Sequence, residues 1–214
     1  MDNIFPKIHK EGYKFLAISI FVTLIVAIFS TFLGFIFLIL SVWVYYFFRD
    51  PDKVIIDNDK YLTSPADGLI SQIIDTKGPK ELSLENKQFT RVSIFMNVFN
   101  CHVNRSPVNG KIEEIFYKPG KFLNASLDKA SEENERNFFR IKSKDGEEII
   151  VVQIAGLIAR RIVSDVSKDQ DVSQGERLGI IRFGSRVDLY FEKKNLLVKK
   201  GQNVLSGETI IAEK

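Results

Sequence analysis

Cysteine is nearly absent. Cys101 is the only one in 214 residues, so no internal disulfide can form, and the chain suits a reducing compartment. Histidine is almost as scarce, with only His9 and His102. One cysteine and two distant histidines cannot assemble a usual zinc site, and no metal is expected. No glycine-rich phosphate loop or dinucleotide fingerprint occurs. An excess of one charge is also lacking: residues 49–214 carry 27 Lys plus Arg against 25 Asp plus Glu, which gives no basis for nucleic-acid binding. Basic pairs at 160–161, 193–194 and 199–200 suit anionic lipid or a solvated face equally well.

The largest absence is of charge itself. Residues 15–48 contain none and are rich in Phe, Ile, Leu and Val. As one helix this run would be roughly 51 Å long at 1.5 Å per residue, against a hydrocarbon core of about 30 Å. A hairpin turning near Ser30, Thr31 and Gly34 fits as well as one long span. Lys7, Lys10 and Lys14 precede the run, and Arg49 and Lys53 follow it. Basic residues prefer the cytoplasmic side, which favours a hairpin with both ends inside. The run is too long for a secretory signal, and no small-residue cleavage site follows it. Three regions are therefore expected: a basic flank at 1–14, a hydrophobic membrane segment at 15–48, and one folded domain at 49–214.

Pro51 discourages helical continuation. Beyond it, short β-type runs alternate with Gly, Pro, Asn and Asp turns. The pattern predicts strands at 68–75, 90–96, 110–117, 138–143, 148–155, 177–182, 186–191 and 209–212, with one helical stretch at 158–164. The polar loop at 119–136 is a candidate lid. SPADGLI at 64–70 resembles SPVNGKI at 106–112 at five of seven positions, counting Asp67 against Asn109. The C-terminal run at 198–211 is similar to the barrel-sandwich hybrid folds of lipoyl and biotinyl carriers. The expected fold is mainly β, of this type and with little helix, joined to an N-terminal hydrophobic helical segment or hairpin.

Gly184-Ser185 separates two strand-like runs where a sheet would normally continue. Gly lets another group approach its carbonyl closely, and Ser places a hydroxyl beside it. The pair is either a plain bulge or a peptide bond that the protein attacks itself. His102, after a strand and beside Asn104 and Arg105, is the candidate base near neutral pH. Asp67 is either a turn residue or a carboxylate that orients a histidine. Cys101 and His102 would point to opposite faces of a strand and not meet. His9, among lysines, is expected at an interfacial surface.

SPADG at 64–68, HVNRSP at 102–107, ENERN at 133–137, VQIAGLIARRI at 152–162 and FGSR at 183–186 together resemble the phosphatidylserine decarboxylases, over residues 49–214. The short form of that family also begins with hydrophobic membrane segments. The resemblance implies a proenzyme in which the Ser185 hydroxyl attacks the Gly184 carbonyl. An N-to-O shift, β-elimination and loss of ammonia would leave a β chain (1–184) and an α chain (185–214) headed by a pyruvoyl group. That covalent cofactor would condense with the amine of phosphatidylserine, take up the electron pair left by CO2, and yield phosphatidylethanolamine. His102 would transfer the proton, tuned by Asp67, with Asn104 and Arg105 donating to the substrate. Longer members place two histidines three apart, whereas Arg105 stands second here, so His102 is expected to serve both reactions or to share them with Asp67 and water. The implied partners are membrane lipid and the two chains of one precursor, with homo-oligomerisation left open. The implied location is the cell membrane, with the catalytic domain on the cytoplasmic side. The rival reading is a membrane-anchored barrel-sandwich adaptor like membrane-fusion proteins, but no heptads for its usual coiled coil occur.

Overall fold

A computed structural model describes residues 5–123, 133–156, 161–182 and 185–213. The chain forms two compact units that divide between Asp52 and Lys53.

The first unit is a helical hairpin. Helix α1 (Tyr13–Phe29) and helix α2 (Thr31–Phe47) are separated by Ser30, whose extended backbone ends α1. The Ser30 hydroxyl then accepts the Leu33 N–H as the N-cap of α2, which makes the break local and cheap. The helices meet through a 3.0 Å bond between the Thr23 and Ser41 hydroxyls. At Gly34 a side chain would not fit, because an added Cβ would lie 2.7 Å from that of Ala27. Ile28, Phe29 and Phe32 are 81, 84 and 73% exposed. Lys10–Phe29 is long and apolar enough to cross a membrane, and Thr31–Phe47 is a shorter apolar helix. Exposed apolar surface of this kind marks a contact with membrane or with another protein. His9, expected at a surface, is buried at 4% exposure. Its N–H donates to the Phe48 carbonyl, and an antiparallel bridge between Ile8 and Arg49 folds its segment against the end of α2.

The second unit is almost entirely β. Its strands are β1 (Tyr61–Thr63), β2 (Gly68–Lys77), β3 (Gln88–Met96), β4 (Val103–Arg105), β5 (Gly110–Lys118), β6 (Arg136–Ser143), β7 (Glu148–Ala155), β8 (Arg161–Ser164), β9 (Asp171–Val172), β10 (Arg177–Arg182), β11 (Ser185–Phe191), β12 (Asn195–Leu196), β13 (Asn203–Val204) and β14 (Ile210–Glu213). The large sheet has the order β13-β2-β3-β11-β7-β6-β5-β9, and two three-stranded sheets run β1-β14-β12 and β4-β10-β8. Every long strand expected from the sequence forms. Within the helix expected at 158–164, the described residues Arg161–Ser164 instead pair with β10 as a strand, in keeping with the β-branched Ile162 and Val163. Residues 157–160 lie outside the described residues, as do residues 124–132, half of the candidate lid.

Alternation along the large sheet produces two apolar layers. Val92, Ile94, Phe139, Ile141, Val151, Val187, Leu189 and Phe191 face the main core. Phe138, Ile150, Val152, Ile154 and Tyr190 face the other way, onto Leu82, Leu84 and Phe89.

The echo between 64–70 and 106–112 is a real duplication, visible bond by bond. Ser64 Oγ donates to the Ala66 carbonyl and Ser106 Oγ to that of Val108, each at 2.7 Å. Thr63 N–H donates to the Pro107 carbonyl at 3.0 Å, and Arg105 N–H to that of Pro65 at 2.9 Å. Gly207 and Gly175 donate to the carbonyls of Ser64 and Ser106. Both have positive φ (+73° and +79°), which glycine adopts without strain. The two serine turns therefore clasp each other across the centre of the unit.

Candidate functional site

Ser185 is the first residue of β11, paired with Met96 on β3 and Ala155 on β7. The chain leaves the small sheet at Arg182 and enters the large one at Ser185, so the FGSR motif spans a transfer between sheets. Phe183 and Gly184 lie outside the described residues. Ser185 is completely buried and shares the inward face with Val187, Leu189 and Phe191. Its Oγ lies 3.5 Å from the Met96 sulfur. A thioether is a weak acceptor, so the hydroxyl proton is held only loosely.

Polar side chains cap the apolar core at this end. Asn104 Nδ2 approaches the same Met96 sulfur at 3.7 Å. Gln153 Nε2 donates to Asn104 Oδ1 at 2.8 Å, and Asn137 Nδ2 donates to Gln153 Oε1 at 3.2 Å. His102 lies two residues before Asn104, where the Ile181 N–H still bonds the His102 carbonyl at 3.3 Å. It is fully buried, with Nδ1 3.0 Å from the Asn100 carbonyl. A carbonyl only accepts, so Nδ1 carries the hydrogen and Nε2 is the basic nitrogen of the neutral ring.

The structure thus brings Ser185 and Asn104 to one sulfur atom and sets His102 immediately before the strand that carries Asn104. It places Asp67 and Arg105 differently. Asp67 Oδ1 accepts from the Ser206 N–H and hydroxyl at 2.7 and 2.8 Å, and Lys53 Nζ lies 3.2 Å from both carboxylate oxygens. These bonds do not include His102. The duplication explains one of them: Asn109, the counterpart of Asp67, accepts the Gln174 N–H at 2.8 Å. What distinguishes Asp67 is its charge and the buried Lys53 beside it. Arg105 Nη1 donates to the Gly175 carbonyl at 2.9 Å, which ties its guanidinium into the duplicated turn. Cys101 is buried ahead of β4. Among the described residues no group of three His, Cys, Asp or Glu could hold a metal ion.

Met96, Gln153, Asn137 and Ser206 are not among the residues that the sequence singles out, and Lys53 stands there only as a basic flank of the apolar run. Gln153 and Asn137 stood within motifs, but without a role. The ENERN motif accounts for more of the neighbourhood. Asn134 Nδ2 donates to the carbonyls of Leu123 and Ala155 at 2.8 and 2.7 Å, which joins the stem of the long loop to the residue paired with Ser185. Glu135 Oε1 accepts the Ile162 N–H at 3.3 Å. Burial raises the Tyr117 hydroxyl above its ordinary range, and the nearby Glu135 carboxylate adds to the effect.

This is a duplicated β fold in which a buried serine opens a central strand, with the Asn104 carboxamide at the same methionine sulfur. The chain belongs to the phosphatidylserine decarboxylase family, whose pattern matches residues 40–212. It is 65% identical to the phosphatidylserine decarboxylase proenzyme of Pelagibacter ubique, over the whole of both chains. It is 52% identical to those of Rickettsia typhi and Rickettsia prowazekii, over 99% of this chain and 92% of theirs.

Proposed function

We propose that this chain is a self-cleaving proenzyme that decarboxylates phosphatidylserine to phosphatidylethanolamine, cutting itself between Gly184 and Ser185. The observation that carries the reading is the position of Ser185: fully buried, at the junction of two sheets, and within the stretch that the family's pattern matches. The Ser185 hydroxyl attacks the Gly184 carbonyl, the acyl group passes from nitrogen to oxygen, and elimination frees the Gly184 carboxylate. Hydrolysis with loss of ammonia leaves a pyruvoyl group at position 185. It is smaller than the serine residue it replaces, so the space beside Met96 and Asn104 suits it. Once formed, it supplies an electron sink for the pair released with CO2.

The remaining work belongs to side chains. His102 Nε2 takes the serine proton during self-cleavage and returns a proton to the substrate α-carbon during turnover. Asn104 offers N–H donors beside position 185. Asp67 contributes a fixed negative charge on the turn whose Pro65 carbonyl grips β4 through Arg105. The apolar hairpin holds the chain at the bilayer that contains the substrate. The basic residues at both its ends favour a cytoplasmic catalytic unit.

Intact mass and denaturing gels test the reading. Purified protein should contain fragments of residues 1–184 and 185–214, the second with a blocked, carbonyl-reactive terminus, and should release CO2 from phosphatidylserine. Ser185→Ala should remain whole and inactive. An active preparation made only of the uncut 24.5 kDa chain would overturn the proposal.

A further inference from the structure

The inward face of the large sheet is apolar until it reaches Ser185. There it carries two buried carboxamides, Asn137 on β6 and Gln153 on β7, and a third, Asn104 on β4 of the small sheet, continues the row; they are exposed by 3, 0 and 0%. Burying an amide costs about 1–3 kcal/mol unless its polar ends are bonded, and aliphatic side chains would pack there at no such cost. The row also has a direction. Asn137 donates to Gln153, Gln153 donates to Asn104, and Asn104 has its oxygen occupied and its nitrogen turned to the sulfur that Ser185 Oγ also approaches. Each amide fixes which end the next one presents, and bonds linked in this way strengthen one another in a dry interior.

We propose that Gln153 and Asn137 are positioning residues that keep Asn104 facing position 185 as a donor. The inference rests on the reading of Ser185 given above. A held N–H suits an oxygen that gains negative charge as the bond at position 185 reacts. An amide free to rotate would present its own oxygen half the time, and repulsion would replace attraction. Gln153 and Asn137 touch no reacting atom and act only through Asn104.

Gln153→Glu tests this with almost no change of shape. An ionised carboxylate still accepts from Asn137 but cannot donate to Asn104, which then turns its N–H toward the carboxylate and its oxygen toward Ser185. Self-cleavage should slow, and kcat per processed site, counted with a carbonyl-reactive probe, should fall about 10²-fold with KM little changed. As the pH is lowered the introduced carboxyl gains a proton and can again donate to Asn104 Oδ1. The deficit relative to the parent enzyme should therefore shrink toward acid. Should that variant fail to fold, Asn137→Asp carries the same test. Its carboxylate turns the Gln153 amide end for end, which turns Asn104 in turn, with the same recovery in acid. A variant that loses thermal stability but keeps the parent kcat, or whose deficit is equal at every pH, overturns the proposal. The outcome is separable from the larger reading: cleavage persisting in Ser185→Ala refutes that reading, whereas full activity in Gln153→Glu alongside an uncut Ser185→Ala refutes only the positioning role.

Discussion

At the scale of single residues, the contrast between Asp67 and Asn109 is the most instructive. Both occupy the same place in a duplicated turn, and both accept a backbone N–H from the facing turn. The amide suffices for that bond, so the carboxylate at 67 answers to Lys53, whose side chain and that of Asp67 are each 7% exposed. Asp67→Asn should keep the Ser206 bond but leave a buried ammonium unmatched, at a cost of about 3 kcal/mol. Adding Lys53→Met should return most of it. Denaturant midpoints of the uncut Ser185→Ala background would show this, and equal losses in the single and double variants would contradict it. The sequence marked Ser185, His102, Asn104 and Asp67 through short motifs. It could not pair Asp67 with Lys53 or Asn137 with Gln153, because those contacts depend on strand register and on the path of the segment after Pro51, neither of which has a local signature.

At the scale of elements, two carboxylates fasten strand ends. Glu81 accepts from Lys118 on β5 and Arg136 on β6, each at 2.9 Å. Glu148 on β7 is bonded by Lys87 and by Arg140 on β6. Burial pushes both carboxyls up, but hydrogen bonds from Lys118 to Glu81, and from Lys87 and Arg140 to Glu148, together with the cationic charges, hold both below the ordinary 4.5. The folded state then takes up these protons only at lower pH than the unfolded chain. The stability they confer is complete above about pH 4.5 and is lost as the pH falls through their folded values. The melting temperature of the uncut Ser185→Ala protein should thus begin to drop below about pH 4.5, and Glu81→Gln should flatten part of that limb. A melting temperature that rises toward acid would refute the assignment. Strands of six or more residues were legible as β-type runs bounded by turn residues, β7 and β10 to the residue. Pairs such as Asp171–Val172 and Asn203–Val204 were not, since two residues carry no period. The strand at 161–164, where a helix was expected, has the same cause: the pattern was too short to choose between 3.6 and 2.

At the scale of the whole molecule, the cut proposed at 184–185 falls beside the middle of a sheet. Residues 185–213 supply β11 between β3 and β7, β14 between β1 and β12, and β13 on the edge at β2. The two products should remain together through gel filtration in mild detergent and separate only in denaturant. Release of the smaller fragment under native conditions would contradict the topology. The hairpin, whose apolar side chains face outward, should bring the uncut protein down with lipid vesicles. Deletion of residues 1–52 should abolish that sedimentation.

The central place of β11 also sets an order in time. Its partners β3 and β7 lie far away in sequence, so the sheet must assemble while the chain is one piece, when closing those loops is an intramolecular event. After the cut, the same assembly would require two separate peptides to find each other, one of them only about 30 residues and too short to hold a fold alone. Mature protein unfolded in urea and then diluted should not recover, whereas the Ser185→Ala precursor should. The proposed self-cleavage would therefore work as a one-way ratchet: a molecule that acquires its shape under equilibrium control would keep it afterwards only through the slowness of its own unfolding.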